Sequence, residues 1–341
     1  METAAPAQPK TLMEAVRYFA DAERTHDLAV KLRWPNGVHC PACVVCGKVR
    51  YFVATSKNRK TGAETPRRLF ECKAKDGEGK VCKRQFTVKT GSIFEDSALP
   101  LDVWFVGIWS VANCKNGISS YELARATGIT QKSAWFVLHR IRVAMGAGGL
   151  GKMGGTVEAD ETYVGGLAKN MHAKERKHRV IGRGAGDHKV PVMGILQRTD
   201  GTIPSRVVAR VIRSATSKSV QGIVRQHVEP GSALMTDAHG AYPGLAADYI
   251  HESVNHADEY VRGNIHSNGI ENFWSLLERT VKGTHVSVDP MHLQAYVGGQ
   301  VFRFNERKDN DLGRFRSVLG MVGGKRLTWK DLTNHALSAA S

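Results

Sequence analysis

The sequence predicts an α/β protein: a mixed-sheet domain that follows a small cysteine-bearing β module and an all-helical segment. Three observations carry this. From Thr156 onward, strand-like and helix-like periodicities succeed one another as β-β-β-α-β-β-α-α, an order that makes a mixed sheet. Five of the six cysteines fall between Cys40 and Cys82, among short β-prone pieces. Residues 97–145 are helix-patterned throughout.

The expected organisation follows in chain order: helical residues 1–33, a β module over 34–95, a helical domain over 96–145, a linker over 146–155, a sheet domain over 156–310 and a tail over 311–341. In the first segment, Leu12, Val16, Phe19 and Ala20 fall at helical spacing and predict one apolar face. Cys40 and Cys43 form a Cys-x-x-Cys on a turn, and Cys72 and Cys82 come later between Arg68-Leu69-Phe70 and Gln85-Phe86-Thr87-Val88. Two such pairs suit tetrahedral Zn²⁺, with Cys46 an alternative to either member of the first pair. Four thiolates leave no open coordination position, so the site is expected to be structural. Cys114 stands apart and reads as a core thiol.

The helical segment opens after Pro100 with apolar Leu101 to Trp109. Ile118 to Ile141 then has the shape of a helix-turn-helix: Ser119 or Ser120 to cap, Gly128 to turn, Thr130 to cap again. Ala134, Val137, Leu138 and Ile141 make the inner face, leaving Gln131, Lys132, Ser133, His139 and Arg140 as the groove- and phosphate-facing set. Six glycines in the ten residues 146–155 predict a hinge.

Charge separates the function classes. The chain has 48 Lys and Arg against 32 Asp and Glu, a net +16. Residues 48–89 hold 13 basic and 4 acidic side chains, and residues 169–189 hold 7 and 2. Clustering of this kind points to a polyanionic partner, most often nucleic acid. No run approaches the ~18 apolar residues of a membrane span, and no signal pattern opens the chain, so the expectation is a cytoplasmic, nucleoid-associated protein with no membrane partner.

The strand Thr156 to Val164 is unusual because it carries Glu158, Asp160 and Glu161. Charge in a buried strand costs several kcal/mol unless compensated, and a divalent cation is one compensation. Asp237 ends a later strand, and Glu271 lies on a late helix. If the first strand is central, pairs with the strand ending at Asp237 and is covered by that helix, then Asp160, Asp237 and Glu271 reach one edge and hold Mg²⁺ or Mn²⁺. Phe273 and Trp274 read as core, and Asn305 and Arg307 as DNA-backbone contacts or helix-ending residues.

These segments resemble a known family. Val157-Glu-Ala-Asp-Glu-Thr-Tyr-Val-Gly-Gly166, Thr236-Asp-Ala-His-Gly-Ala-Tyr242 and His266-Ser-Asn-Gly-Ile-Glu-Asn-Phe-Trp-Ser-Leu-Leu-Glu-Arg-Thr-Val-Lys-Gly-Thr284 are similar to the three acid motifs of bacterial insertion-sequence transposases of the DDE type. The resembled branch places a zinc ribbon and a helix-turn-helix ahead of a ribonuclease-H-like core, which implies that fold here. It also implies metal-dependent DNA cleavage and strand transfer at terminal inverted repeats, and a homo-oligomer on DNA. The third catalytic position in this branch is Glu or Asn, so Asn268 and Asn272 stand beside Glu271. A basic residue usually follows that position by about seven; Glu278 stands there instead, and Arg279 or Lys282 takes the DNA-contacting role.

Overall fold

A computed structural model describes residues 7–43, 48–57, 62, 64–75, 78–146, 149, 151–166, 189–237, 242–254 and 267–333. Cys46, His239, His256, His266 and most of the basic run 169–189 lie outside the described residues. The chain divides into two compact units. The first draws on Met1–Asn113, Ser120–Ala144 and Asn310–Asn334, the second on Cys114–Ser119 and Met145–Asp309.

In the first unit, α1 (Leu12–Phe19) starts at a capping box in which Thr11 and Glu14 satisfy each other's backbone N–H groups. Its buried face differs from the expected one. Ala15 and Phe19 are buried, whereas Leu12 and Val16 are exposed. Phe19 turns the helix toward an aromatic cluster, 5.3 Å from Phe105 and 5.1 Å from Phe315 between ring centroids. Ring area of that size outweighs the two aliphatic side chains. Helix α2 (Ala22–Arg33) follows, capped by Asp21. Strands β1 (Val49–Lys57), β2 (Glu64–Cys72) and β3 (Gln85–Phe86) form an antiparallel sheet in that order. The rings of Phe70 and Phe86 stack across it at 5.5 Å, and Trp34 meets both edge-on.

Helix α3 (Leu101–Asn113) is nearly all buried, while α4 (Ser120–Thr127) and α5 (Gln131–Met145) meet at a turn where Gly128 takes φ +71°. That left-handed conformation is open to glycine at little cost. Thr130 caps α5 through Ser133 N–H at 3.2 Å, and Ala134, Val137, Leu138 and Ile141 are buried as the pattern predicts.

The second unit is built on a five-stranded sheet: β4 (Thr156–Val164), β5 (Val190–Gln197), β6 (Arg206–Val211), β7 (Ala233–Asp237) and β8 (Ile250–Val254), in the spatial order β6-β5-β4-β7-β8. The first three strands run antiparallel in sequence; β7 then pairs parallel to β4, and β8 pairs parallel to β7. Together with helices α6 (Ser217–His227), α7 (Asn268–Glu278) and α8 (Leu293–Asn305), this is the expected element order, in a ribonuclease-H-like arrangement.

The two-residue period of the strands sorts the side chains onto two faces. Val157 and Ala159 of β4 and Met193 and Ile195 of β5 pack with Val220 and Val224 of α6. Val192 and Leu196 of β5 pack with Ile270, Phe273, Trp274 and Leu277 of α7. Edge strand β6 is covered by amide side chains: Asn305 accepts from Val207 N–H and donates to Val207 C=O, and Gln294 accepts from Val211 N–H. Arg307 donates to Ser205 C=O at 2.8 Å. Asn305 thus blunts a sheet edge that would otherwise invite pairing.

Two expectations change. The glycine-rich linker is partly structural, because Met153 is buried and bridges Val228 with backbone hydrogen bonds to His227 and Glu229. The expected tail contains α9 (Asp311–Gly320) and α10 (Trp329–Thr333), and Phe315 of α9 is wholly buried.

Candidate metal centres

In the second unit, β4 is the switch point of the sheet, antiparallel to one neighbour and parallel to the other. Open sheets bind ligands beyond the carboxyl ends of such strands. The last β4–β7 pair is Ala159 with Thr236, so Asp160, Glu161 and Asp237 come just after the strands part. Carboxylate oxygens of these three residues all lie within 4.8 Å of one another.

Each acid is held from a different side. Asp160 faces α7 and accepts from Trp274 Nε1 at 2.9 Å and from Glu161 N–H at 2.8 Å. Burial raises the Asp160 carboxyl to about 6, against the Trp274 bond, and the charges of Asp237 and Glu271 push it the same way. Glu161 faces the opposite side and accepts from the buried Tyr242 hydroxyl at 2.9 Å. Burial raises the Tyr242 phenol, with the Glu161 charge adding to it. Tyr242 is therefore a fixed donor.

The structure brings together two of the three expected acids, Asp160 and Asp237, and adds Glu161. Glu271, exposed on the first turn of α7, is not within the 4.8 Å group, but its field reaches Asp160, and it accepts from Ser267 Oγ at 2.9 Å. Asn268 and Asn272 are exposed on the same helix. Clustered carboxylates with a neutral donor network fit a hard divalent cation, which favours oxygen ligands.

Trp274 is core, as expected, yet its indole N–H also aims at Asp160. Gly194, opposite Asp160 on β5, makes this possible: a Cβ there would sit 2.5 Å from the Trp274 ring. The signal was a glycine inside an apolar strand, which marks a close approach.

In the first unit, the sulfurs of Cys40, Cys43, Cys72 and Cys82 lie within 4.8 Å of one another. Cys43 Sγ is 3.8 Å from Cys72 Sγ and 3.0 Å from Cys82 Sγ. Zinc–sulfur bonds of about 2.3 Å imply tetrahedral edges of about 3.8 Å, so the four residues fit zinc. Hydrogen bonding to Cys82 raises the Cys43 thiol, and the same bond lowers that of Cys82. Cys114, expected in the core, is exposed, because it sits at the end of α3 where the helix leaves its apolar neighbours.

The expected DNA-facing residues divide. Lys132 is exposed, its ammonium 4.6 Å from the Trp329 ring, and Gln131 donates to Ser120 Oγ. Arg140 is not at the surface: it is buried and donates to the carbonyls of Ile93, Glu95 and Leu327. Its charge is used to tie loops together. His139 is buried as well. Arg279 and Lys282 are exposed beyond α7 on a π-helical turn, Arg279–Thr284. Lys282 pairs with Glu278 at 2.9 Å across one helical turn.

An acid cluster where two parallel strands part, and a four-cysteine ribbon earlier in the chain, are the two features that the resemblance to DDE-type insertion-sequence transposases implies. Residues 152–305 match the ISXO2-like transposase domain, and residues 21–85 match the transposase zinc-ribbon domain. The chain thus carries matches to both a catalytic-domain and a zinc-ribbon model of insertion-sequence transposases, in that family's expected order. It is 27% identical over 293 residues to an uncharacterized protein in transposable element ISH50 of Halobacterium salinarum, covering 84% of this chain and 91% of that one. It is also 27% identical over 101 residues to an uncharacterized transposase-like protein of Haemophilus influenzae, covering 29% of this chain and 81% of the relative. No helix among the described residues is long and apolar enough to cross a membrane.

Proposed function

We propose that the protein binds the terminal inverted repeats of its own element, cleaves a DNA strand to expose a 3′-OH and joins that end to target DNA. The observation that carries this is the convergence of the Asp160, Glu161 and Asp237 carboxylates at the switch point of the sheet. Asp160 and Asp237 would hold the catalytic Mg²⁺ or Mn²⁺, with Glu161 beside them and Glu271 approaching from α7. A bound cation pair supplies activation of the attacking oxygen and neutralisation of the leaving one. The residues themselves do the positioning: Trp274 orients Asp160, Tyr242 orients Glu161, and Ser267 holds Glu271. Phosphoryl transfer depends mostly on such placement.

The ribbon, held by zinc on Cys40, Cys43, Cys72 and Cys82, and α4–α5 would bind the ends, with Gln131 and Lys132 on the recognition helix. Arg279 and Lys282 would meet phosphates near the acids. Two ends must be paired, so the working species on DNA is a homo-oligomer.

The test uses labelled DNA carrying the element's terminal repeat, the full-length protein and Mg²⁺ or Mn²⁺. Wild type should give nicked and then joined products. Asp160→Asn should give neither while still shifting the DNA. Unchanged cleavage by that variant would remove the acids from the chemistry.

A further inference from the structure

Ser267 is the N-cap residue of α7, but its side chain does not cap the helix. A serine there ordinarily accepts from the backbone N–H two or three residues on. Here its hydroxyl donates to Glu271 Oε1 at 2.9 Å, and its backbone, at φ −113° and ψ 18°, is outside the extended region that caps favour. The third N–H of the helix, that of Ile270, is satisfied instead from another element. It donates to Glu158 Oε2 at 2.8 Å.

Glu158 is 1% exposed on β4. Arg198 Nε donates to its other oxygen at 2.6 Å, so the carboxylate is fixed at both ends. Glu158 and Asp160 are two apart on one strand and share a face, while Ile270 and Trp274 are four apart on one helix and share a face. Each acid takes a hydrogen bond from its opposite number, Ile270 N–H to Glu158 and Trp274 Nε1–H to Asp160. Gly269 lets the helix come this close: a Cβ there would meet Glu158 Oε2 at 2.8 Å and Leu196 Cδ2 at 3.1 Å.

We propose that Glu158, pinned by Arg198, is a positioning residue that caps α7 from the sheet and so leaves Ser267 to hold Glu271 toward the other acids. The proposal rests on the catalytic reading of Asp160 and Glu271, but the cap itself does not. Without Glu158, the Ile270 N–H loses its acceptor and Ser267 is drawn back to ordinary capping. Glu271 then loses its tether.

The experiment combines hydrogen–deuterium exchange over residues 267–275 with DNA-end cleavage, both on the full-length protein. The variants are Glu158→Ala/Arg198→Met, Glu158→Gln, Gly269→Ala and Ser267→Ala. The double variant removes both buried charges together. It and Gly269→Ala should speed exchange at the start of α7 by about 10-fold or more, with α6 and β5 unchanged, and should lower cleavage. Glu158→Gln keeps an oxygen for Ile270 N–H and should recover part of both. Ser267→Ala should lower cleavage with exchange unchanged, a split that a purely structural role would not give.

Should the double variant not fold, Gly269→Ala decides by its sign. Alanine's higher helix propensity alone would slow exchange, whereas a crowded cap speeds it. Slower exchange in Gly269→Ala, or unaltered exchange on loss of Glu158, overturns the cap. Faster exchange in a protein whose wild type cleaves no DNA upholds the cap and removes the catalytic reading instead.

Discussion

Two groups of cation-attracting side chains are built in opposite ways. The thiols of Cys40, Cys43, Cys72 and Cys82 come from loops and a strand end, and their sulfurs lie within 4.8 Å of one another. The carboxylates of Asp160, Glu161 and Asp237 come from the middle of β4 and the end of β7, where these two parallel strands part, backed by Trp274 and Tyr242. The first group lies within its own small β module, where soft sulfur suits a cation that stays. The second is supported by a sheet that stands without it, and oxygen ligands suit a cation that exchanges and shares its shell with substrate. A chain can therefore carry one cation site as part of its fold and another that costs it stability.

The largest effect that tests this contrast is loss of zinc. Cys72→Ser, or chelation, should unfold the ribbon, because metal-linked folding of such modules is worth on the order of 10 kcal/mol. Near-UV circular dichroism from Trp34 and zinc release report it, and an unchanged spectrum in zinc-free protein would break the contrast. Next, Asp237→Asn should lower cleavage on the order of 10³-fold with the melting temperature nearly unchanged. A large drop in melting temperature would make the carboxylate group structural after all.

Gly194→Ala comes third. Its Cβ would meet the Trp274 ring at 2.5 Å, so overpacking should cost about 1–3 kcal/mol in denaturant unfolding and loosen Asp160. The fourth effect has the opposite sign. The Asp160 carboxyl titrates at about 6 in the folded protein against 3.8 normally, so the folded state binds the proton more tightly. Stability is then lost as pH rises from about 4 to about 6 and stays lost above. In chelator at pH 7, Asp160→Asn should be more stable than wild type by on the order of 2 kcal/mol, a gain that vanishes near pH 4. The smallest concerns Lys282: breaking its exposed pair with Glu278 by Lys282→Ala should change stability by only ~0.3–0.5 kcal/mol.

The strands of the second unit were legible because alternation and turn residues are local signals, and Asp237 was legible because it ends a short apolar run. Glu161 was harder to assign. Neighbouring strand residues face opposite ways, and only the parting of β4 from β7 lets both Asp160 and Glu161 reach one point. Glu158 gave a signal, a charge in an apolar strand, but its partners Arg198 and Ile270 lie 40 and 112 positions away. Arg140 misled because the helical pattern gives a side chain's direction and not what lies there; the loops around Ile93, Glu95 and Leu327 bury it. The face of α1 was misread for the same reason, since Phe315 arrives from the far end of the chain.

That last contact bears on how the protein is made. Phe315 sits against Phe19, Phe105 and Trp109, so the core of the first unit is closed by a residue made after the whole sheet of the second. A ribosome at position 315 has already synthesised every described strand of the second unit, while the aromatic core of the first still waits for its plug. A stop codon near position 310 would leave the acids of the second unit in place and the aromatic core of the first unit open, so codons far from any acid are as vulnerable to damage as the acid codons.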